Sequence, residues 1–126
     1  MNIRKIAVVF TLLAVLVAGT IVSAGALTPM HVSGFKAAYL TTGQIRSRLY
    51  VLDALNQPVS GAKVQISFEK DGAPVILRSG ITGLYGKVAI SATVPAGRWT
   101  VCVEEIHKLG YGYNPLQNLC TAVSVP

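Results

Sequence analysis

Few side chains in this chain can do chemistry. The acids are Asp53, Glu69, Asp71, Glu104 and Glu105, the histidines are His31 and His107, and the cysteines are Cys102 and Cys120. Acid–base catalysis needs polar groups that converge on one point. Glu104 and Glu105 are neighbours on an expected strand, so they are expected on opposite faces and cannot act as a carboxylate pair. Asp71 precedes Gly72 and reads as a turn residue. Asp53 ends a strand before Pro58, where a turn hydrogen bond is its expected role. The two histidines are far apart and neither belongs to a metal-spacing motif. No serine sits in a G-x-S-x-G setting, and there is no phosphate-binding glycine loop. The chain is therefore expected not to be an enzyme, with no catalytic residue, metal or cofactor.

The two cysteines carry the one covalent expectation. They are 18 positions apart, and an even pair in an oxidising compartment predicts a disulfide. Closing that loop contributes on the order of 3 kcal/mol in the chain-entropy model. Two cysteines with two distant histidines make a poor zinc set.

The compartment is read from residues 1–26. Arg4 and Lys5 precede an uncharged run from Ile6 to Val22, and small residues Ser23-Ala24-Gly25-Ala26 follow. This is the layout of a secretory signal or an uncleaved membrane anchor. The apolar run of 17 residues is longer than a typical signal core and shorter than a typical span. No Asp, Glu, Lys or Arg occurs from Ile6 to Phe35, and Ala14, Ala18 and Gly19 permit close helix contact. Both outcomes place the remaining 100 residues outside the cytoplasm, secreted or anchored by an N-terminal hydrophobic helix.

The formal net charge is +6, and +4 without Arg4 and Lys5. The other nine cations are scattered along the sequence, with no block that marks a nucleic-acid surface. They read as a mildly basic solvated surface, or as a preference for anionic lipid or cell-wall polymer.

The elements that must position these residues are strands. Residues 27–43 are weakly patterned and read as a linker with one irregular edge strand. After Gly43, Ile45, Leu49 and Val51 alternate with Arg46, Arg48 and Tyr50. Arg48 and Tyr50 then belong to an outward face, solvated or in contact with a partner. Ala62, Val64, Ile66 and Phe68 form the cleanest period-two run. A short strand near 75–77, one through Val88–Val94, one from Trp99 and one over 119–125 complete the set, with a long loop over 106–118. Short strands and regular turns predict an all-β sandwich. Trp99, Val101 and Val103 share one face, as do Leu119, Thr121, Val123 and Val125. Cys102 and Cys120 therefore point outward and are expected to join neighbouring strands from the outer side.

Four segments carry a resemblance. Gln57-Pro58-Val59-Ser60-Gly61-Ala62-Lys63-Val64 resembles the "x-P-V-x-G-A-x-V" turn of bacterial immunoglobulin-like and carboxypeptidase-regulatory-like modules. Thr82-Gly83-Leu84-Tyr85-Gly86-Lys87-Val88 is similar to their "T-D-x-x-G-x-V" turn. Ala96-Gly97-Arg98-Trp99-Thr100-Val101 resembles their "x-G-x-Y-x-V" strand entry. Gly110-Tyr111-Gly112-Tyr113-Asn114-Pro115 is similar to the last loop of such modules in secreted bacterial proteases. The resemblance implies an immunoglobulin-like Greek-key sandwich of about seven strands over residues 44–126. Gly83 replaces the usual acid of the second motif, which puts any calcium-binding role there in doubt. Such modules serve adhesion, spacing, carbohydrate or protein binding, and envelope assembly.

The candidate binding loop runs from His107 to Asn118 and presents Tyr111, Tyr113 and Leu116, unless the tyrosines pack over the end of the core. The expected function is a non-enzymatic module that binds a protein or glycan at the cell surface. The alternative is a membrane-anchored accessory or structural subunit of an envelope or membrane protein complex. Neither reading calls for nucleic acid.

Overall fold

Side chains that alternate between apolar and polar fit a pleated strand with one dry face. That alternation marks most of the eight strands in the computed structural model, which describes residues 27–41 and 43–126. They are β1 (Thr28–Leu40), β2 (Gln44–Asp53), β3 (Lys63–Glu69), β4 (Ile76–Ile81), β5 (Lys87–Thr93), β6 (Gly97–His107), β7 (Tyr111–Tyr113) and β8 (Cys120–Val125). A single 3₁₀ turn, Pro115–Gln117, precedes β8. The expected hydrophobic helix within residues 1–26 lies outside the described residues.

The strands form two four-stranded sheets, ordered β5-β2-β1-β7 and β4-β3-β6-β8. All pairings are antiparallel except β1 with β7, which is parallel. Ile45, Leu49, Val51 and Ile90 from the first sheet share one core with Ile66, Phe68, Trp99 and Val101 from the second. Ser47 is buried in it, and its hydroxyl donates to the Ile90 carbonyl at 2.8 Å, so burying that oxygen leaves nothing unsatisfied.

Residues 27–43 are not a linker with an edge strand. β1 is 13 residues long and lies inside its sheet, between β2 and β7. Its pattern is weak for a physical reason. Ser33 pairs with Tyr50 and Lys36 with Arg48, so Gly34 and Phe35 together oppose Leu49. One extra residue in a strand is a β-bulge, and it flips the parity of everything beyond it. Met30 and Val32 face the core before the bulge, and Phe35, Ala37 and Tyr39 face it afterwards. Gly34 takes the positive φ of 62° that the bulge needs.

A second bulge corrects the reading of the two adjacent glutamates. Gln65 pairs with Glu105 and Ile66 with Val103, which leaves Glu104 as the extra residue. Burial accordingly skips from Val103 to Ile106. Glu104 and Glu105 therefore do not divide between opposite faces. Glu104 Oε1 accepts from the Ser67 hydroxyl at 2.6 Å, and Ser67 is paired with Cys102 on the outer face. Glu105 is opposite Gln65 on that same face. β6 also extends to His107, so the expected loop over 106–118 is shorter and contains β7.

Candidate functional site

The first two motifs of the resemblance meet at one corner. Gly61 has φ 75°, and its N–H donates to the Thr82 carbonyl at 2.9 Å. The buried Thr82 hydroxyl donates to the Val59 carbonyl at 2.6 Å and accepts from the Ala62 N–H at 2.9 Å. The Val51 N–H donates to the Gly86 carbonyl at 2.8 Å, and the Val59 N–H to the Val51 carbonyl at 2.9 Å. These residues satisfy one another's backbone groups, which ties β2, β3 and β5 together. Gly83 closes its turn through backbone alone, with its N–H on the Lys87 carbonyl at 3.0 Å. Asp53 takes its expected turn role: Oδ1 accepts from the N–H groups of Leu55 and Gln57, each at 2.9 Å.

The candidate binding loop is more structural than expected. Tyr111 and Tyr113 lie in β7 and pack against the core. The Tyr113 hydroxyl donates to Asn118 Oδ1 at 2.6 Å, and Asn118 Nδ2 donates to the Glu104 carbonyl at 3.0 Å. The Lys108 ammonium sits 5.0 Å from the Tyr111 ring centroid and also donates to the Ser60 carbonyl. Asn114 caps the 3₁₀ turn by accepting from the Leu116 N–H at 3.0 Å. Of the three candidate residues only Leu116 projects fully to solvent, 93% exposed, and Leu109 before β7 is 91% exposed as well. Both tyrosines are thus half-buried and pack against the core where β7 pairs with β1, which spacing along the chain does not reveal.

Burial pushes the Tyr113 hydroxyl above its ordinary pKa of 10.0. A raised phenol pKa favours the protonated form in the folded state. The associated stability is present below pH 10.0 and is lost as pH rises through the folded value. Tyr113→Phe is expected to cost about 1 kcal/mol at neutral pH through the lost hydrogen bond. The gap between the two proteins should narrow in alkali, where the wild type loses the contribution of this hydroxyl. Denaturant titrations at neutral and alkaline pH check both statements.

Cys102 and Cys120 form the expected disulfide, with Cα atoms 4.1 Å apart. They are direct cross-strand partners on β6 and β8. Val101, Val103 and Val123 are buried while Cys120 is exposed, so the bond staples the outer side of the sheet, as parity predicts. The same outer face carries Lys63, Gln65, Glu105 and His107 around a shallow depression. Its charges are mixed.

The outer face of the first sheet has one sign of charge. Arg46, Arg48 and Tyr50 point outward from β2, Lys36 from β1 and Lys87 from β5, all of them exposed. Lys36 is directly opposite Arg48, and Lys87 directly opposite Tyr50. The remaining neighbours of the arginines are small: Arg46 is flanked by Ala38 and Ser91, and Arg48 by Ala89. Of the acids, Glu69, Glu104 and Glu105 belong to the second sheet, Asp71 to the turn after β3, and Asp53 ends β2 with the parity of the buried Val51, its Oδ1 held by the Leu55 and Gln57 N–H groups. Cations scattered in sequence are therefore gathered in space. The signal in the chain was the shared parity of Arg46, Arg48 and Tyr50; the contributions of Lys36 and Lys87 depend on strand register.

His31 lies on β1 and His107 on β6, in different sheets. Among the described residues no group of three or more His, Cys, Asp or Glu could hold a metal ion. No helix among them is long and apolar enough to cross a membrane. Comparison with protein-family models, with curated proteins and with solved structures finds no match to this chain.

Proposed function

We propose that this chain is a non-enzymatic, exported, immunoglobulin-like module that binds a protein or glycan at the cell surface. The observation that carries the reading is the Cys102–Cys120 bond on the outer side of a two-sheet domain. Structural disulfides persist outside the cytoplasm. The immunoglobulin-like Greek-key reading rests on the chain's repeated passage between sheets, from β2 to β3, β4 to β5 and β5 to β6. It also rests on the two interlocked turn motifs at the Thr82 corner.

A second reading is a membrane-anchored accessory subunit. It is favoured by apolar side chains on and beside the edge strand β4: Leu77, Ile81, Leu84 and Tyr85 are 50%, 68%, 77% and 76% exposed. A patch of this kind suits a protein partner.

One purification tests both. The full chain is expressed with its leader, recovered natively, and analysed for N-terminal residue, mass, free thiols and co-eluting proteins. The exported module is expected outside the cytoplasm, starting at Leu27, with no titratable thiol before reduction. Two titratable thiols would contradict it. An intact leader and a need for detergent would favour the accessory subunit.

A further inference from the structure

We propose that the outer face of the β5-β2-β1-β7 sheet is the partner-binding surface of this module and that it takes a linear acidic polysaccharide. The proposal rests on the binding-module reading and names the site and the ligand chemistry. Lys36 and Arg48 face each other directly across the β1–β2 ladder, where paired side chains are about 5 Å apart. Like charges at that position repel, and the flanking Ala38, Ala89 and Ser91 offer no counter-charge. Arg46 follows on the same face about 7 Å along the strand, and Lys87 lies on β5 opposite Tyr50, diagonal to Arg48. Lys87, Arg48 and Lys36 thus lie on a diagonal over three neighbouring strands that span about 10 Å of sheet. A ligand with anionic groups repeated along its length relieves the repulsion at several points at once. The arginines can pair with carboxylate or sulfate oxygens through two N–H groups each.

Tyr50 favours a sugar polymer. Its ring lies against Gly34 at the bulge, where a Cβ would meet the ring at 3.3 Å, and it remains 38% exposed beside Lys87. A fixed aromatic ring next to cations offers an apolar surface to the C–H side of a sugar while its acid groups reach the cations. A membrane surface is disfavoured by what the face lacks. Peripheral membrane contacts combine basic residues with apolar side chains that enter the interface. Tyr50 is the one exposed large apolar residue of β1, β2 and β5.

The test uses the full chain expressed with its leader. Binding of fluorescein-labelled oligogalacturonate is followed by anisotropy, with neutral dextran and phosphatidylglycerol-containing vesicles as the other probes. The wild type is expected to bind the oligogalacturonate, with an affinity that falls as salt rises, and not the dextran. Arg46→Glu with Arg48→Glu should weaken binding at least about tenfold. Lys63→Glu with Arg98→Glu changes the net charge equally on the other sheet and should alter affinity by less than about twofold. All four positions are exposed, and unchanged circular dichroism checks folding. If the arginine variant fails to fold, Lys36→Gln with Lys87→Gln serves instead and should weaken binding. Equal losses in both charge-reversed variants would reduce the effect to net charge and overturn the proposal. Vesicle binding without oligosaccharide binding would assign the face to a membrane surface and also overturn it. Absence of all binding would do the same, while co-purification of a protein partner would leave the module reading standing.

Discussion

Replacing Trp99 with alanine is expected to remove about 3–5 kcal/mol of stability. A domain of this size has only about 5–15 kcal/mol in total. Trp99 opens the buried face of β6 and is 1% exposed, the largest of the fully buried side chains. Its Nε1–H donates to the Pro95 carbonyl at 3.0 Å, so it also ties the turn before β6 to the core. Truncation leaves a cavity walled by two rigid sheets, which cannot collapse to refill it. Urea unfolding should show a much lower midpoint with an unchanged slope. Trp99→Phe keeps most of the volume and loses only the indole donor, so it should fall well short of the alanine effect. A midpoint for Trp99→Ala within experimental error of the wild type would mean that the two sheets do not pack as described.

Gly86→Ala is the second large effect, expected at about 4 kcal/mol from strained backbone and overpacking together. Gly86 has φ 72°, and a Cβ there would lie 2.6 Å from the Val51 carbonyl oxygen, 3.1 Å from Val59 N and 3.2 Å from Pro58 Cα. All three are backbone atoms of the interlocked corner, so no side chain can swing aside. The corner hydrogen bond from the Val51 N–H to the Gly86 carbonyl would be lost as the backbone shifts. Gly61→Ala is the matched comparison. Gly61 has a similar φ of 75° but nothing within 4 Å of a Cβ. It should cost only the conformational term, about 1–2 kcal/mol. Thermal or urea unfolding of the two variants separates conformational strain from collision. Equal losses would show that the corner is less tightly closed than the distances indicate.

The strands from β2 onward were largely legible because each has one dry face and one wet face, and alternation records that directly. β1 was obscured by a single residue. Met30 and Val32 are in phase with each other, Phe35, Ala37 and Tyr39 are in phase with each other, and Gly34 separates the two sets. A period-two reading across that bulge cancels itself. The bulge at Glu104 misplaced a carboxylate in the same way. β7 was missed because three residues with two tyrosines and a glycine look like any exposed loop until a partner strand is supplied. Tyr111, Tyr113 and Leu116 were grouped by sequence alone, and the fold separates them into two packed rings and one exposed side chain.

The chain by itself determined what local chemistry can determine: strands, turns and the outward direction of both cysteines. Each of these follows from a residue and its nearest neighbours, through side-chain alternation or turn dihedrals. The partner of each strand was decided only by tertiary structure, because pairing joins residues distant in sequence through backbone groups that are alike everywhere. Lys36, Arg48 and Lys87 acquire a common role only when β1 and β5 settle on either side of β2. The outward position of the disulfide was foreseeable from parity; the basic face that carries the proposed contact was created by register.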